Sequence, residues 1–215
     1  MALIRRDAPR PQGEPTSCLV DLEKLRAELL GGDAERRWQA ARTLGDEPGA
    51  VTALGDALAV ERDPRICEAI FTSLIRLRGP EAAAVLLPFL RSEDAALRNG
   101  AIEALQSMPV AVMPKMPALL ADSDPDVRLL AAELARMMPA DTATMLLCQN
   151  LDVETHPNVC GAVVEVLAEV GTKAAAPALR RARDRFASDP FLPMAIGMVL
   201  SRLDPFPGSD GPPHG

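Results

Sequence analysis

Ten side chains recur at matched positions along this chain, and they would share one face if the matching segments are helices. They are Trp38, Arg42, Glu68, Asn99, Glu103, Leu129, Glu133, Glu165, Met194 and Met198. Each falls one or five residues after a reference position that is arginine in three of the six copies. At 100° per residue, a core stripe one residue before and three and seven after that reference leaves the fifth residue pointing away from the core. The resulting face has an acidic middle and apolar ends. Such a face suits a basic or amphipathic segment carrying an apolar anchor, and it equally suits plain solvation. Trp38 is the anchor candidate, because Trp is enriched at binding hot spots; it fits as well beneath the N-terminal residues.

Catalytic chemistry is harder to assemble. His156 and Cys160 lie four residues apart, a spacing that turns both toward one metal ion, but no second pair completes a site. His156 stands where other copies carry Asp, so its expected role is to start a helix. Cys67 and Cys160 occupy equivalent positions and are expected as small packing residues, too many layers apart for a disulfide. No pair among Cys18, Cys67, Cys148 and Cys160 has CxxC spacing, and no GxSxG, HExxH or phosphate loop is present. No catalytic residue, metal or cofactor is therefore expected. Arg180, Arg181, Arg183 and Arg185 form a basic run that reads as a solvated face or as a contact for an acidic partner.

The elements that position these residues repeat. Asp33, Asp63, Asp94, Asp124-Pro125, His156-Pro157 and Asp189-Pro190 each precede an apolar stripe, at spacings of 30 to 33 residues. Asp before a helix is an N-cap and Pro fits its first turn. The best copy begins DPDVRLLA at Asp124, with Val127, Ala131, Leu134 and Met138 on one face. A second helix fits in each period, and two helices per roughly 30 residues define an α-solenoid. Pro117 must fall in a first turn or kink its helix. Aromatic residues make up only 3% of the chain, so Ala, Leu, Val and Met must fill a core of closely spaced helices. The expected fold is an all-α, right-handed superhelix of about six helix pairs over residues 19–203, with an extended tail at 1–18 and a Pro/Gly tail at 204–215.

The net charge is −7. Residues 122–169 hold nine acids against two bases, which disfavours nucleic acid as a general partner. The first residues lack the apolar run of a secretory signal, and no stretch reaches membrane-spanning length. The expectation is a cytoplasmic protein with reduced thiols, either a monomer or a weak dimer, binding neither membrane nor nucleic acid.

The copies at 124–131 (DPDVRLLA) and 94–105 (DAALRNGAIEAL) resemble HEAT repeats, specifically the short type found in phycobilisome bilin lyases. The resemblance implies an arginine at Arg37, Arg98 and Arg128 that joins a ladder to acids of adjacent repeats. Cys67, Cys160 and Pro193 replace it elsewhere, where packing alone is expected to hold the layers. The second helix of each pair would line a concave face. The leading expectation is a non-catalytic scaffold or adaptor, such as one in bacterial signalling or assembly, that grips a protein partner through that face. The first alternative is a bilin lyase-like enzyme or accessory subunit acting on a tetrapyrrole. The second is a nucleic-acid-binding module. HEAT-like hydroxylases with His-Glu iron pairs and HEAT-like alkylpurine glycosylases with a basic groove do not fit, because no His precedes a Glu and the one Trp sits in an acidic setting.

Overall fold

A helix leaves its first N–H groups without partners, and an Asp at the N-cap accepts from them. The carboxylate of Asp33 accepts from the Arg36 N–H at 2.9 Å, Asp63 from Arg65 at 2.9 Å, Asp94 from Ala96 at 2.8 Å, and Asp124 from Asp126 at 2.9 Å. These caps set the rhythm of the chain. A computed structural model describes residues 21–204, all helices and connections. The tail expected at 1–18, Cys18, and all but Asp204 of the tail expected at 204–215 lie outside the described residues.

The helices run in chain order: α1 (Leu22–Gly31), α2 (Ala34–Leu44), α3 (Val51–Val60), α4 (Pro64–Leu77), α5 (Gly79–Leu86), α6 (Ala95–Gln106), α7 (Pro109–Val112), α8 (Met116–Leu120), α9 (Pro125–Ala135), α10 (Ala140–Val153), α11 (Pro157–Val170), α12 (Ala176–Arg185) and α13 (Leu192–Leu203). A 3-10 turn at Met113–Lys115 joins α7 to α8, so these two short helices fill one position of the repeat. Pro114 lies in that turn and Pro117 in the first turn of α8, where neither removes a needed N–H.

Two layers result. In one, α2, α4, α6, α9, α11 and α13 lie side by side; in the other, α1, α3, α5, α7–α8, α10 and α12 do. This is an α-solenoid. Between the layers sit the predicted stripes: Ile66, Ile70 and Leu74 of α4, Val127, Ala131 and Leu134 of α9, and Val159, Val163 and Leu167 of α11 are all buried. Each fully buried Leu, Ile or Val contributes roughly 1.5–3 kcal/mol relative to exposure. Small residues at Ala101, Ala104, Ala131, Ala132 and Ala135 are buried too, which lets neighbouring helices approach closely. Arg78, with φ 54°, and Gly79, with φ 86°, make the sharp reversal between α4 and α5.

Buried polar groups tie successive repeats together. Ser73 Oγ donates to the Ala41 carbonyl at 2.8 Å, Asn150 Nδ2 to the Leu120 carbonyl at 2.8 Å, and the Thr172 N–H to Thr144 Oγ1 at 3.0 Å.

The arginine ladder has two rungs rather than three. Arg37 Nε donates to Glu61 at 2.8 Å, and Arg128 grips Glu154 with two bonds of 2.8 and 3.0 Å. Arg98 donates to the Ser92 carbonyl at 2.7 Å, and Asp122, the acid in the corresponding place, pairs with Arg91. Nor do the remaining layers rely on packing alone. Arg65–Glu35, Arg76–Asp46, Arg136–Glu169 and Arg181–Asp152 pair one repeat with the next at other positions.

Two helix starts differ from expectation. His156 occupies the N-cap of α11, but its side chain makes no cap bond. Glu154 Oε1 accepts the N–H groups of Thr155 and His156 instead, at 3.0 and 2.8 Å. Asp189 accepts from Phe191 and Leu192 at 2.9 Å each, so α13 begins after the Asp-Pro pair and not at it.

Candidate functional site

Between α4 and α6 the layer opens into a groove of about 440 Å3, within the roughly 300–1,000 Å3 typical of small-molecule sites. Its buried and half-buried lining, the floor, is apolar: Cys67, Phe71 and Ile75 of α4 and Leu97 of α6. Its exposed lining includes Glu68 and Thr72 from α4 and Asn99 and Glu103 from α6. Gly100 makes room for the floor. A Cβ there would stand 2.3 Å from Phe71 Cε2, so only glycine lets the ring lie over α6. At the α4 N-terminal end the lining includes Glu61, Arg62 and Asp94.

The charges of this groove are unequally committed. Glu61 is held by Arg37 Nε and by the N–H groups of Arg62 and Asp63. Burial pushes its carboxyl pKa up, but those bonds outweigh burial and leave it below the ordinary carboxylate value. Asp94 is spent on capping α6. Arg62 donates to the carbonyls of Ala59 and Glu61. Glu68 and Glu103 are exposed, and no cation pairs with either among the described residues. Burial raises the pKa of the Cys67 thiol, and Glu61 and Asp94 push the same way.

Glu68, Asn99 and Glu103, three of the ten residues singled out in the sequence, thus come together. The others separate into three neighbourhoods. Trp38 is half-buried on α2, its ring covered by Arg42 at 4.6 Å and by Arg65 of α4 at 4.3 Å to the centroid. These are cation–π distances, and Arg65 is also paired with Glu35. Glu133 and Glu165 flank Arg136, at 2.9 and 4.0 Å, and Glu169 contacts the same guanidinium. The acidic middle is partly neutralised by that one arginine. Leu129 is half-buried nearby on α9. Met194 and Met198 of α13 are 66% and 70% exposed, beside Phe191 at 71%. Sequence reasoning assigned no site role to Cys67, Phe71, Leu97 or Gly100. The available signal was a Phe in one copy beside a Gly in the next.

The basic run is mostly engaged within the chain. Arg181 makes two bonds of 2.9 Å to Asp152, Arg180 pairs with Asp204, and Arg185 donates to the carbonyls of Leu151, Asp152 and Glu154 at the end of α10.

The HEAT-repeats family profile matches residues 22–106 and 114–190. This chain belongs to the HEAT-repeat family. Over 97 residues it is 37% identical to the bilin biosynthesis protein PecE of Nostoc sp. strain PCC 7120, a match covering 44% of this chain and 38% of that protein. Among solved structures it is similar to the complex of CpcE and CpcF of the phycocyanin lyase from Nostoc sp. PCC 7120, at 17% identity and TM-score 0.37, covering 93% of this chain and 100% of that one. An engineered protein is similar at 18% identity and TM-score 0.42, covering 86% and 99%.

These findings correct the leading expectation of a non-catalytic scaffold. The curated relative is a bilin biosynthesis protein, and it favours the alternative of bilin chemistry. The error has a physical source. The repeat pattern fixes the core stripe and the caps, which any HEAT layer needs whatever it binds, so the pattern does not distinguish a scaffold from a bilin-binding protein. No helix among the described residues is long and apolar enough to cross a membrane.

Proposed function

We propose that this HEAT-repeat chain is a bilin lyase-like protein or accessory subunit that holds a linear tetrapyrrole in the groove between α4 and α6. The observation that carries the reading is the 37% identity over 97 residues to a bilin biosynthesis protein. The groove supports it chemically. A bilin is a long, flat, conjugated molecule with N–H donors along its inner edge and two propionates on its outer edge. Phe71, Leu97 and Ile75 offer an apolar bed for its rings. Glu68, Asn99 and Glu103 offer acceptors to its N–H groups. Arg62 supplies a guanidinium at the end of the groove for a propionate.

In this reading the chain's own contribution is to bind and orient the bilin. In this reading a protein partner is the acceptor of the bilin or a second subunit, not the sole ligand. The test is to mix the full chain with biliverdin and follow visible absorption. The expected outcome is a saturable change in the long-wavelength band at micromolar concentration. A spectrum identical to free biliverdin at every protein concentration would overturn the reading.

A further inference from the structure

The end layers of a solenoid keep a polar outer face when no further repeat covers them. The first layer has one: Glu35, Arg36, Gln39, Arg42 and Thr43 of α2 are all exposed. The last layer does not. Within α13 the exposed residues are Met194, Met198, Ser201 and Arg202, and exposed Phe191 directly precedes the helix. At 100° per residue these five fall on one side, opposite the buried Leu192, Ile196, Val199 and Leu203. The repeat does not require an apolar stripe there. Where α13 has Met198, the other copies have Arg42, Thr72, Glu103, Glu133 and Glu165. Where it has Phe191, they have Glu35, Arg65, Ala96, Asp126 and Asn158. At Gly197, beside the stripe, a Cβ would meet nothing within 4 Å, so a second helix can approach closely.

We propose that this face pairs with the same face of a second copy, α13 against α13 and antiparallel, about a two-fold axis beside Ile196. The stripe is complementary to itself in that arrangement. Residues equally spaced about Ile196 come opposite one another. Met194 then meets the partner's Met198, two flexible side chains that adapt to each other. The bulky Phe191 meets the partner's Ser201, which leaves room for the ring. Asp189 and the partner's Arg202 match to within one residue, which sets opposite charges at each rim of the stripe. Both groups have capacity left. Asp189 uses Oδ1 on the N–H groups of Phe191 and Leu192. Arg202 uses one terminal nitrogen on the carbonyls of Leu167 and Gly171. Neither forms an ion pair among the described residues. A contact of one face with itself closes at two copies, and the polar α2 end offers no apolar face for a head-to-tail chain. The stripe is one helix wide, so the contact belongs with small interfaces, below about 1,200 Å2, and the dimer forms in a concentration-dependent way.

The test is analytical ultracentrifugation of the full chain. The mass is expected to rise from 22.9 kDa toward twice that value. The midpoint is expected on the order of 10 µM, the strength of a small interface. In Met194→Glu/Met198→Glu the mass is expected to stay that of one chain at every concentration. Both side chains are exposed, and unchanged helical circular dichroism confirms that the fold persists. Mild oxidation of Phe191→Cys/Ser201→Cys is expected to give a covalent dimer. Within one chain those positions are ten residues apart, roughly 15 Å along a helix and too far for a disulfide; across the pair they face each other. Either single cysteine variant, and the wild-type chain, are expected to cross-link little. A wild-type mass that stays at one chain throughout, a dimer that survives Met194→Glu/Met198→Glu, a mass that climbs past two copies, or single variants that cross-link as fully as the double would each overturn the proposal. No bilin enters these measurements, so their outcome leaves the bilin reading untouched.

Discussion

Glu154 shows how one side chain joins three tasks. Its side chain is 2% exposed, yet it pairs with Arg128 and accepts the N–H groups of Thr155 and His156. Burial pushes its carboxyl pKa up, but the Arg128 bond and the two N–H groups outweigh that and hold it below the ordinary carboxylate value. A depressed pKa in the folded state means that the stabilisation is present above the unfolded value, near pH 4.3, and is lost as pH falls through the lower folded value. Glu154→Gln is therefore expected to flatten the acid limb of the stability profile. Glu154→Ala, which strands the Arg128 guanidinium, is expected to cost about 3 kcal/mol at pH 7, in the range for a broken buried pair. Urea unfolding of both variants from pH 3 to 7 checks this; a wild-type acid limb in Glu154→Gln would contradict it. In the sequence Arg128 was legible as a ladder residue. Its partner was not, because Glu154 is one of many acids in the region and only chain folding brings it to that guanidinium.

The helix caps separate what spacing predicts from what contacts decide. Asp63 and Asp124 accept backbone bonds as their positions imply, and replacing either by Ala is expected to cost about 1 kcal/mol. His156 holds the same register without capping, so His156→Ala is expected to cost less than either. Thermal melts of the three variants side by side test the ordering; a larger loss for His156→Ala would show that its imidazole supports α11 in some other way. The groove is also decided between elements. Phe71 and Gly100 are unremarkable within their own helices, and they make a floor only because α4 and α6 pack with the ring over the glycine. The repeat registers placed Glu68, Asn99 and Glu103 on one face. That Glu68 and Glu103 pair with no cation among the described residues, while Glu133 and Glu165 share Arg136, followed from side-chain reach between helices, which a one-dimensional period does not contain.

Across the whole molecule, each repeat touches mainly its neighbours, so stability is close to a sum of layers and their interfaces. A chain ending at Gly171 loses α12 and α13, and with them the Arg181–Asp152 pair and the arginine that satisfies the end of α10. It also uncovers the face of α11 that packs against α13. The remaining repeats are expected to keep their helical signal per residue while melting at a lower temperature. Circular dichroism of the shortened chain would contradict this if helicity collapsed throughout. The Phe191, Met194 and Met198 surface would leave with α13, so the same shortened chain reports whether that apolar end contributes to bilin binding.

By itself the sequence determined the α-solenoid, about six helix pairs and the apolar stripe of each repeat. Those features depend on helical periodicity, Asp and Pro at helix starts, and small apolar residues, all local signals repeated about six times along the chain. Only the tertiary structure decided which charges remain free, which arginines are already engaged, and where a groove opens. Those outcomes depend on distances between side chains of adjacent helices. In a solenoid they vary from layer to layer while the repeat pattern stays the same.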